Sequence, residues 1–179
     1  AENSALRVPR SFAAIPCTFG RRSPLVGRLR RRPLRCRADP MLRLDGLVLV
    51  DHTFLLPLDH DGADAGEIEV FAREVRAAET GAEERPWLVY LQGGPGFESP
   101  RPMGKEGWIG KAVDRYRVLL LDQRGTGRST PQTVSTITAA GDAAEQARHL
   151  AHFRADSIVR DCERIREALG IERWTLLGQ

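Results

Sequence analysis

Two glycine-rich segments combine residue types and a spacing that could take part in a reaction. The first, the Gly-Gly-Pro-Gly loop, directly follows the apolar run 87–91 and consists of Gln92, Gly93, Gly94, Pro95 and Gly96. Adjacent glycines let backbone N–H groups turn toward an anion because no Cβ stands in the way, and Pro95 stiffens the turn. Such N–H groups can face the oxyanion that develops when a carbonyl carbon is attacked. The same residues also make a good tight turn, so this segment alone allows both interpretations.

The second segment, the Asp-Gln-Arg loop, directly follows the apolar run 118–121 and consists of Asp122, Gln123, Arg124, Gly125, Thr126, Gly127, Arg128 and Ser129. Asp122 and Arg124 are separated by one residue at the end of a strand, so we expect them to pair and pin the loop, while the two glycines permit positive φ. The third glycine of a dinucleotide fingerprint is missing, and the chain has no G-K-[ST] phosphate loop. The pattern therefore indicates a scaffold rather than a catalyst.

Short apolar runs predict the strands that position these loops. Three continuous runs are typical of buried parallel strands: 87–91, 118–121 and 174–177. Between the last two runs, one face of a predicted helix over 156–169 carries Ile158, Cys162, Ile165 and Leu169. Asp156 or Ser157 is the expected N-cap and Gly170 the expected C-cap, and a weaker helical pattern covers 142–153. Strand, helix and strand in this order predict a parallel βαβ unit.

An alternating apolar pattern precedes the parallel runs and predicts antiparallel strands. The pattern marks two extended stretches, 42–49 and 54–58, with an interruption near Asp51 and His52. A third strand is predicted over 68–75, after a turn-forming run at 59–62. The fold class is therefore α/β, with an antiparallel start that leads into a parallel sheet.

Residues 1–40 differ in composition from the rest of the chain. They hold ten Arg, no Lys, five Pro and only Glu2 and Asp39 as acids, a net charge of +8. Since the whole chain carries +3, residues 41–179 carry −5. An Arg-rich, acid-poor segment without a periodic apolar face matches organelle transit peptides, and a disordered arm is the alternative. We therefore divide the chain into a disordered basic leader, 1–40, and a folded part, 41–179.

Several classes of partner are not expected. No apolar run approaches the roughly 18 residues that a membrane span needs. The leader has two aromatic rings and no RNA-binding motif, and the rest of the chain is acidic, so no nucleic-acid partner is expected. His149 and His152 could share a helix face, yet no H-E-x-x-H pattern is present and no metal site is predicted. Cys162 is predicted to be a small core residue.

The two loops together are far more specific than either one alone. A strand that ends in [HQ]-G-G-P-G, followed about 30 residues later by a strand that ends in D-Q-R-G-x-G-x-S, resembles the proline iminopeptidase family of α/β-hydrolases. Segments 54–60, 156–169 and 170–174 are also similar to that family. The first loop position is most often His in the family, whereas this chain has Gln92. A long Arg-rich leader and this Gln resemble plant members.

The resemblance implies an α/β-hydrolase fold and a serine peptidase that releases an N-terminal residue, preferentially proline, from peptides with a free N-terminus. It implies no cofactor, and it assigns the oxyanion-binding N–H groups to Gly93 and Gly94. Gly178 and Gln179 match the start of the G-x-S-x-G nucleophile elbow, so the catalytic serine is expected directly after Gln179. The 179 residues are therefore expected to be an N-terminal portion without a catalytic triad.

Ser129 is not a good substitute for that serine. Gly127 and Ser129 imitate part of the elbow, but Pro131 stands where the second glycine is needed. Two alternatives to the peptidase stay open: another hydrolase of this fold, such as an esterase or epoxide hydrolase, or a non-catalytic relative used for sensing or interaction. The leader predicts a chloroplast location, with the mitochondrion as an alternative, or the cytoplasm if translation starts at Met41.

Overall fold

A single mixed β-sheet organises the part of the chain that the structure describes. This structure is a computed structural model, and it describes residues 34–62, 66–94 and 96–179. Its strands are β1 (Arg35–Ala38), β2 (Leu42–Leu44), β3 (Leu47–Pro57), β4 (Glu67–Ala77), β5 (Trp87–Leu91), β6 (Arg117–Leu121) and β7 (Trp174–Gly178). Its helices are α1 (Gly107–Ala112), α2 (Val134–Thr138), α3 (Ala143–Ala151) and α4 (Ala155–Ala168), besides a short 3-10 turn at Ala82–Glu84.

The first four strands are antiparallel, as predicted, but the predicted interruption near Asp51 and His52 is wrong. β3 runs through both residues, because Asp51 lies directly opposite Arg73 of β4 and forms an ion pair with it. The chain turns earlier, between β2 and β3, where Asp45 and Gly46 have φ of 34° and 75°. A two-residue Asp-Gly turn with positive φ at both positions matches the twist of a hairpin, so the break falls there.

Four residues assigned to the leader from composition belong to the sheet. Arg35–Ala38 form β1, which pairs antiparallel with the outer edge of β3, and Leu34 packs against the core. All four residues of β1 are exposed, so no apolar alternation announced the strand. Backbone hydrogen bonds along an edge need no apolar side chain, and polar residues are typical of edge strands. Leader residues 1–33 lie outside the described residues.

The last three strands are parallel and place their carboxyl ends side by side. Strand order across the sheet is β1-β3-β4-β6-β5-β7, so β5 lies between β6 and β7. Leu91 is level with Leu121 on one side and with Gly178 on the other. All three strands agree with the predicted parallel runs to within one residue at either end. Segments that leave these three strand ends therefore meet at one edge of the sheet.

Helix α4 covers one face of the sheet and agrees with the predicted helix to within one residue at either end, but both predicted caps are wrong. Its N-cap is Arg154, not Asp156 or Ser157, and its C-cap is Leu169, not Gly170, which follows it with φ of 67°. The predicted weak helix is α3, which begins with a capping box between Asp142 and Glu145. Because an earlier residue starts α4, Asp156 lies in its first turn, where a carboxylate is favoured by the helix dipole.

Two apolar clusters, one on each face, hold α1 and α4 to the sheet. One cluster joins α1 to the face that carries Leu88 and Leu120, and the other joins α4 to the face that carries Val89 and Leu119. Alternate residues of a strand point to opposite faces, so the buried residues of β5 and β6 supply apolar side chains to both clusters. Among the described residues, no helix has the length and apolar character to cross a membrane.

Candidate active site

The two glycine-rich loops lie next to each other at the carboxyl edge of the parallel strands. The Gly-Gly-Pro-Gly loop leaves β5, the Asp-Gln-Arg loop leaves β6, and β7 ends beside them at Gly178 and Gln179. Ligands of α/β sheets bind at this edge, outside the carboxyl ends of the strands. The structure therefore brings together the segments that the sequence singled out, with Pro95 outside the described residues.

The Gly-Gly-Pro-Gly loop touches the end of β7 through its backbone. A Cβ on Gly93 would lie 2.0 Å from the carbonyl oxygen of Gln179, so only glycine allows this approach. Gly94 has φ of 124°, a conformation that residues with a Cβ rarely adopt. Within the described part of the chain, the N–H groups of Gly93 and Gly94 donate no hydrogen bond. Among the described residues these two N–H groups therefore have no acceptor, as a loop that binds an oxyanion requires.

Tyr90, which was not among the predicted site residues, connects the two sides of this contact. Its hydroxyl lies 3.0 Å from Oε1 of Gln92 and 2.7 Å from Oε1 of Gln179. Gln92, the position at which the family most often has His, thus has a side-chain partner inside the site. The available signal was a single hydroxyl-bearing side chain in an otherwise apolar strand directly before the loop.

The structure contradicts the predicted pairing of Asp122 with Arg124. The carboxylate of Asp122 is fully buried and accepts hydrogen bonds from the backbone N–H groups of Ser99 and Arg128, both at 2.9 Å. It forms its ion pair with Arg101 instead. Within a strand, alternate side chains point to the same face. Asp122 and Arg124 lie in the loop beyond the strand, where the chain turns and the local sequence does not set the direction of each side chain. Asp122 therefore pins the loop, as predicted, through different partners.

Arg124 points to the other side of the sheet and pairs with Asp161 of α4. Its Nε lies 2.7 Å from Oδ2 of Asp161 and its Nη2 2.6 Å from Oδ1. Both side chains are buried, with 0% and 1% exposure. No local pattern indicates this partner, because Asp161 lies 37 residues away on the inner face of a helix.

The rest of the Asp-Gln-Arg loop is held by internal hydrogen bonds. The Ser129 hydroxyl donates to the carbonyl oxygen of Asp122 at 2.6 Å and accepts from the Phe71 N–H at 2.8 Å. Ser129 is fully buried, which agrees with its rejection as a nucleophile. Gly125 and Gly127 have φ of 84° and 50°, so both adopt the predicted positive φ.

One side-chain hydrogen bond joins the two loops. Nε2 of Gln123 donates to the carbonyl oxygen of Gln92 at 3.0 Å. Gln123 is buried, so the bond is shielded from competing water. The Asp-Gln-Arg loop therefore acts as a support for the Gly-Gly-Pro-Gly loop.

An open cleft of about 380 Å³ adjoins the Gly-Gly-Pro-Gly loop. Its lining is Gln92, Phe97, Glu98, Ser99, Pro100 and Arg101. The Ser99 hydroxyl donates to the carbonyl oxygen of Leu121 at 2.6 Å, which fixes this wall to the end of β6. Phe97, by contrast, is 72% exposed. A rigid wall with an exposed aromatic ring is suited to contact an apolar ligand group.

The other candidate residues, His149, His152 and Cys162, have structural roles. Nε2 of His149 lies 2.7 Å from Oε1 of Gln132, and the His152 carbonyl accepts from Arg124. Among the described residues, no group of three His, Cys, Asp or Glu could hold a metal ion. Cys162 packs in the core as predicted, and burial raises the pKa of its thiol to about 12. A thiol with this pKa is protonated near neutral pH and is a poor nucleophile.

Comparison with known proteins agrees with this architecture. Residues 86–179 match the family model described as alpha/beta hydrolase fold. The chain is 51% identical over 138 residues to the proline iminopeptidase of Aeromonas sobria, an alignment that covers 76% of this chain and 32% of the relative. It is 44% identical over 119 residues to proline iminopeptidase aneH of Aspergillus aculeatus, covering 65% of this chain and 26% of the relative.

A third relative, the proline iminopeptidase of Xylella fastidiosa, is 36% identical over 91 residues, which cover 51% of this chain and 23% of the relative. The chain thus spans about a third or less of the length of these curated relatives. The family match includes β5, β6, α4 and β7, the elements that build the carboxyl edge described above. The chain belongs to the α/β-hydrolase fold and, within it, to the proline iminopeptidase family.

Proposed function

We propose that the protein carrying this chain is a serine peptidase that releases the N-terminal residue, preferentially proline, from peptides with a free N-terminus. One observation carries the proposal: the backbone of Gly93 closely approaches the end of β7 at Gln179, and the N–H groups of Gly93 and Gly94 donate no hydrogen bond to any described residue. In this fold the nucleophile stands on the turn that follows that strand. The names of the three relatives support the substrate class.

The proposed nucleophile is a serine directly after Gln179, on the G-x-S-x-G turn that Gly178 begins. Its hydroxyl oxygen forms a bond to the scissile carbonyl carbon while a histidine takes the hydroxyl proton, and an acidic residue orients that histidine. The N–H groups of Gly93 and Gly94 donate to the resulting oxyanion. The histidine then returns the proton to the leaving amine as the scissile C–N bond breaks, and water releases the acyl group in a second, similar step.

The proposal is tested on the full-length protein with arylamides of proline and alanine. We expect faster turnover of the proline arylamide, and loss of turnover after treatment with a serine-directed inhibitor or after replacement of the serine that follows Gln179 by alanine. Turnover of simple esters without turnover of proline arylamide would favour the esterase alternative. Absence of both turnover and covalent labelling by the inhibitor would favour the non-catalytic alternative.

We propose a chloroplast location on the composition of the leader alone. Because Arg35–Ala38 pair with β3, we expect removal of the leader to leave residues from Leu34 onward in place. A start at Met41 would lack β1 and leave the outer edge of β3 without its strand partner there. The test is to express fusions of residues 1–40 to a fluorescent protein in plant cells, and to determine the N-terminus of the mature protein. Cytosolic fluorescence would contradict the proposal, and mitochondrial fluorescence would replace it.

A further inference from the structure

A buried ion pair lies outside the proposed catalytic groups, between the Asp-Gln-Arg loop and α4. The guanidinium of Arg124 meets the carboxylate of Asp161 through two parallel hydrogen bonds of 2.7 and 2.6 Å. A two-point contact of this kind fixes orientation as well as distance, which a lysine cannot do. The loop and the helix are therefore held in one relative position.

Every donor of Arg124 has its own acceptor. Besides the two bonds to Asp161, Nη1 donates to the carbonyl oxygens of Leu58 and His152 at 2.8 and 2.7 Å, and Nη2 donates to that of Pro57 at 3.1 Å. A guanidinium has five N–H groups, so all five are used. One side chain thus ties together the end of β3, the segment after α3 and the helix α4.

Because all the N–H groups of Arg124 are used, the donor or acceptor role of the His60 ring can also be assigned. Its Nε2 lies 3.0 Å from Nη2 of Arg124 and 2.9 Å from Oδ1 of Asp161. Because no N–H group of Arg124 is left to donate to the ring, Nε2 of His60 must itself carry the hydrogen and donate to Asp161. Asp161 therefore accepts three hydrogen bonds, two from Arg124 and one from His60. The last of these attaches the turn after β3 to α4.

The cluster reaches the proposed site by two routes. Gln123, the neighbour of Arg124, donates to the carbonyl oxygen of Gln92 in the Gly-Gly-Pro-Gly loop. On the other route, α4 continues through Gly170 into β7, whose end lies against Gly93. A shift of the Asp-Gln-Arg loop relative to α4 would therefore separate the two groups that must meet at the site.

We propose that Arg124 and Asp161 are positioning residues, which keep the Gly-Gly-Pro-Gly loop aligned with the end of β7. A buried ion pair is weak evidence for stability, because apolar residues of similar volume often replace such a pair without loss. Alignment gives a reason for the pair that stability does not. The inference rests on the proposed function only for its effect on turnover, and its effect on the loop can be measured without any turnover.

The experiment compares variants of the full-length protein by melting temperature, by proline-arylamide kinetics and by amide hydrogen exchange of the peptide that spans 174–179, which pairs with β5 and whose last N–H group donates to the Leu91 carbonyl oxygen directly before the Gly-Gly-Pro-Gly loop. The variants are Asp161→Asn, Arg124→Lys and the apolar double variant Arg124→Met with Asp161→Leu. The matched control is Glu163→Gln, which removes an exposed ion pair with Arg166 on the same helix. We expect Asp161→Asn and Arg124→Lys to lower kcat at least tenfold with little change in KM, and to speed exchange over 174–179.

The double variant separates positioning from stability. If the pair positions the loop, the double variant recovers the melting temperature of the parent but keeps fast exchange over 174–179 and low kcat. Recovery of slow exchange together with stability would overturn the proposal, as would unchanged exchange in Asp161→Asn and Arg124→Lys. Should the double variant not fold, these two single variants decide by the same exchange measurement. If the parent protein lacks turnover, the proposed function fails while the exchange data still decide this inference.

Discussion

The two glycine-rich loops begin level with each other at the ends of neighbouring parallel strands, yet they differ in how their polar groups are used. In the Asp-Gln-Arg loop, buried Asp122, Arg124 and Ser129 bond to other parts of the chain. In the Gly-Gly-Pro-Gly loop, the N–H groups of Gly93 and Gly94 donate no hydrogen bond to any described residue. Gly93 is half-buried and Gly94 is exposed. Saturated hydrogen bonding is what a support needs, whereas a binding loop must keep donors for its ligand.

The two loops also require glycine for different reasons. A Cβ on Gly127 would lie 2.3 Å from Oδ2 of Asp122, so this glycine makes room for the buried carboxylate of its own loop. Gly93 instead makes room for the backbone of β7. Similar sequence composition thus serves internal packing in one loop and the assembly of a site in the other. Three variants test this contrast, from the largest expected effect to the smallest.

Replacing Asp122 by alanine should have the largest effect, and on stability. It leaves the buried N–H groups of Ser99 and Arg128 and the guanidinium of Arg101 without their acceptor. Removing one partner of a buried, hydrogen-bonded charge costs about 3–5 kcal/mol of unfolding free energy. The measurement is denaturant unfolding, with the exposed Asp61→Ala as the control. Equal unfolding curves for both variants would show that the Asp-Gln-Arg loop is not the support described here.

Replacing Gly93 by alanine should mainly affect turnover of the full-length protein. The added Cβ must displace either the loop or Gln179, which moves the proposed oxyanion donors away from the nucleophile. Loss of one such donor lowers kcat about 100- to 1000-fold. Gly96→Ala is the matched control, because its φ is not positive and nothing lies within 4 Å of its Cβ. Similar losses in both variants, or a large drop in melting temperature for Gly93→Ala alone, would assign the loop a structural role.

The smallest expected effect is on stability, and it comes from a pH-dependent ion pair that tethers the Asp-Gln-Arg loop to β3. Asp51 of β3 accepts hydrogen bonds from Arg73 and from Arg128 of that loop, and the Arg73 bond above all holds the pKa of Asp51 below its usual range. A lowered pKa stabilises the folded state above the unfolded-state pKa of about 4, and this contribution disappears as the pH falls through the folded-state pKa.

The variant that removes this tether is Asp51→Asn, measured by urea unfolding at pH 7 and at pH 3. We expect the parent protein to be more stable than the variant at pH 7, and the difference to shrink at pH 3. The control is Thr53→Ser, two residues away on the same strand. Its difference in stability from the parent protein should not shrink at pH 3. A difference that is constant with pH would mean that the Asp51 carboxylate does not tether the loop through its charge.

Much of the fold could be predicted from local patterns. The runs 87–91, 118–121 and 174–177 mark β5, β6 and β7 closely. In β5 and β6 the reason is burial on both faces, which requires apolar residues, whereas β7 has the same apolar pattern although most of its residues are exposed here. Helix α4 is likewise predicted by the spacing of Ile158, Cys162 and Ile165 on one face. The hairpin break was misplaced because polar Asp51 looked like a turn residue, although its partner Arg73 lies on the next strand. Strand β1 carries no apolar pattern and was missed.

By itself, the sequence determined the order of the strands in the chain, the two glycine-rich loops after β5 and β6, and the family to which they are similar. Only the tertiary structure decided which polar groups meet: Asp122 with Arg101, Arg124 with Asp161, and Gly93 with the end of β7. Apolar patterns repeat over a few residues and can be recognised locally. A buried charge takes its partner from whichever segment the packed sheet and helices bring within reach, at any distance along the chain.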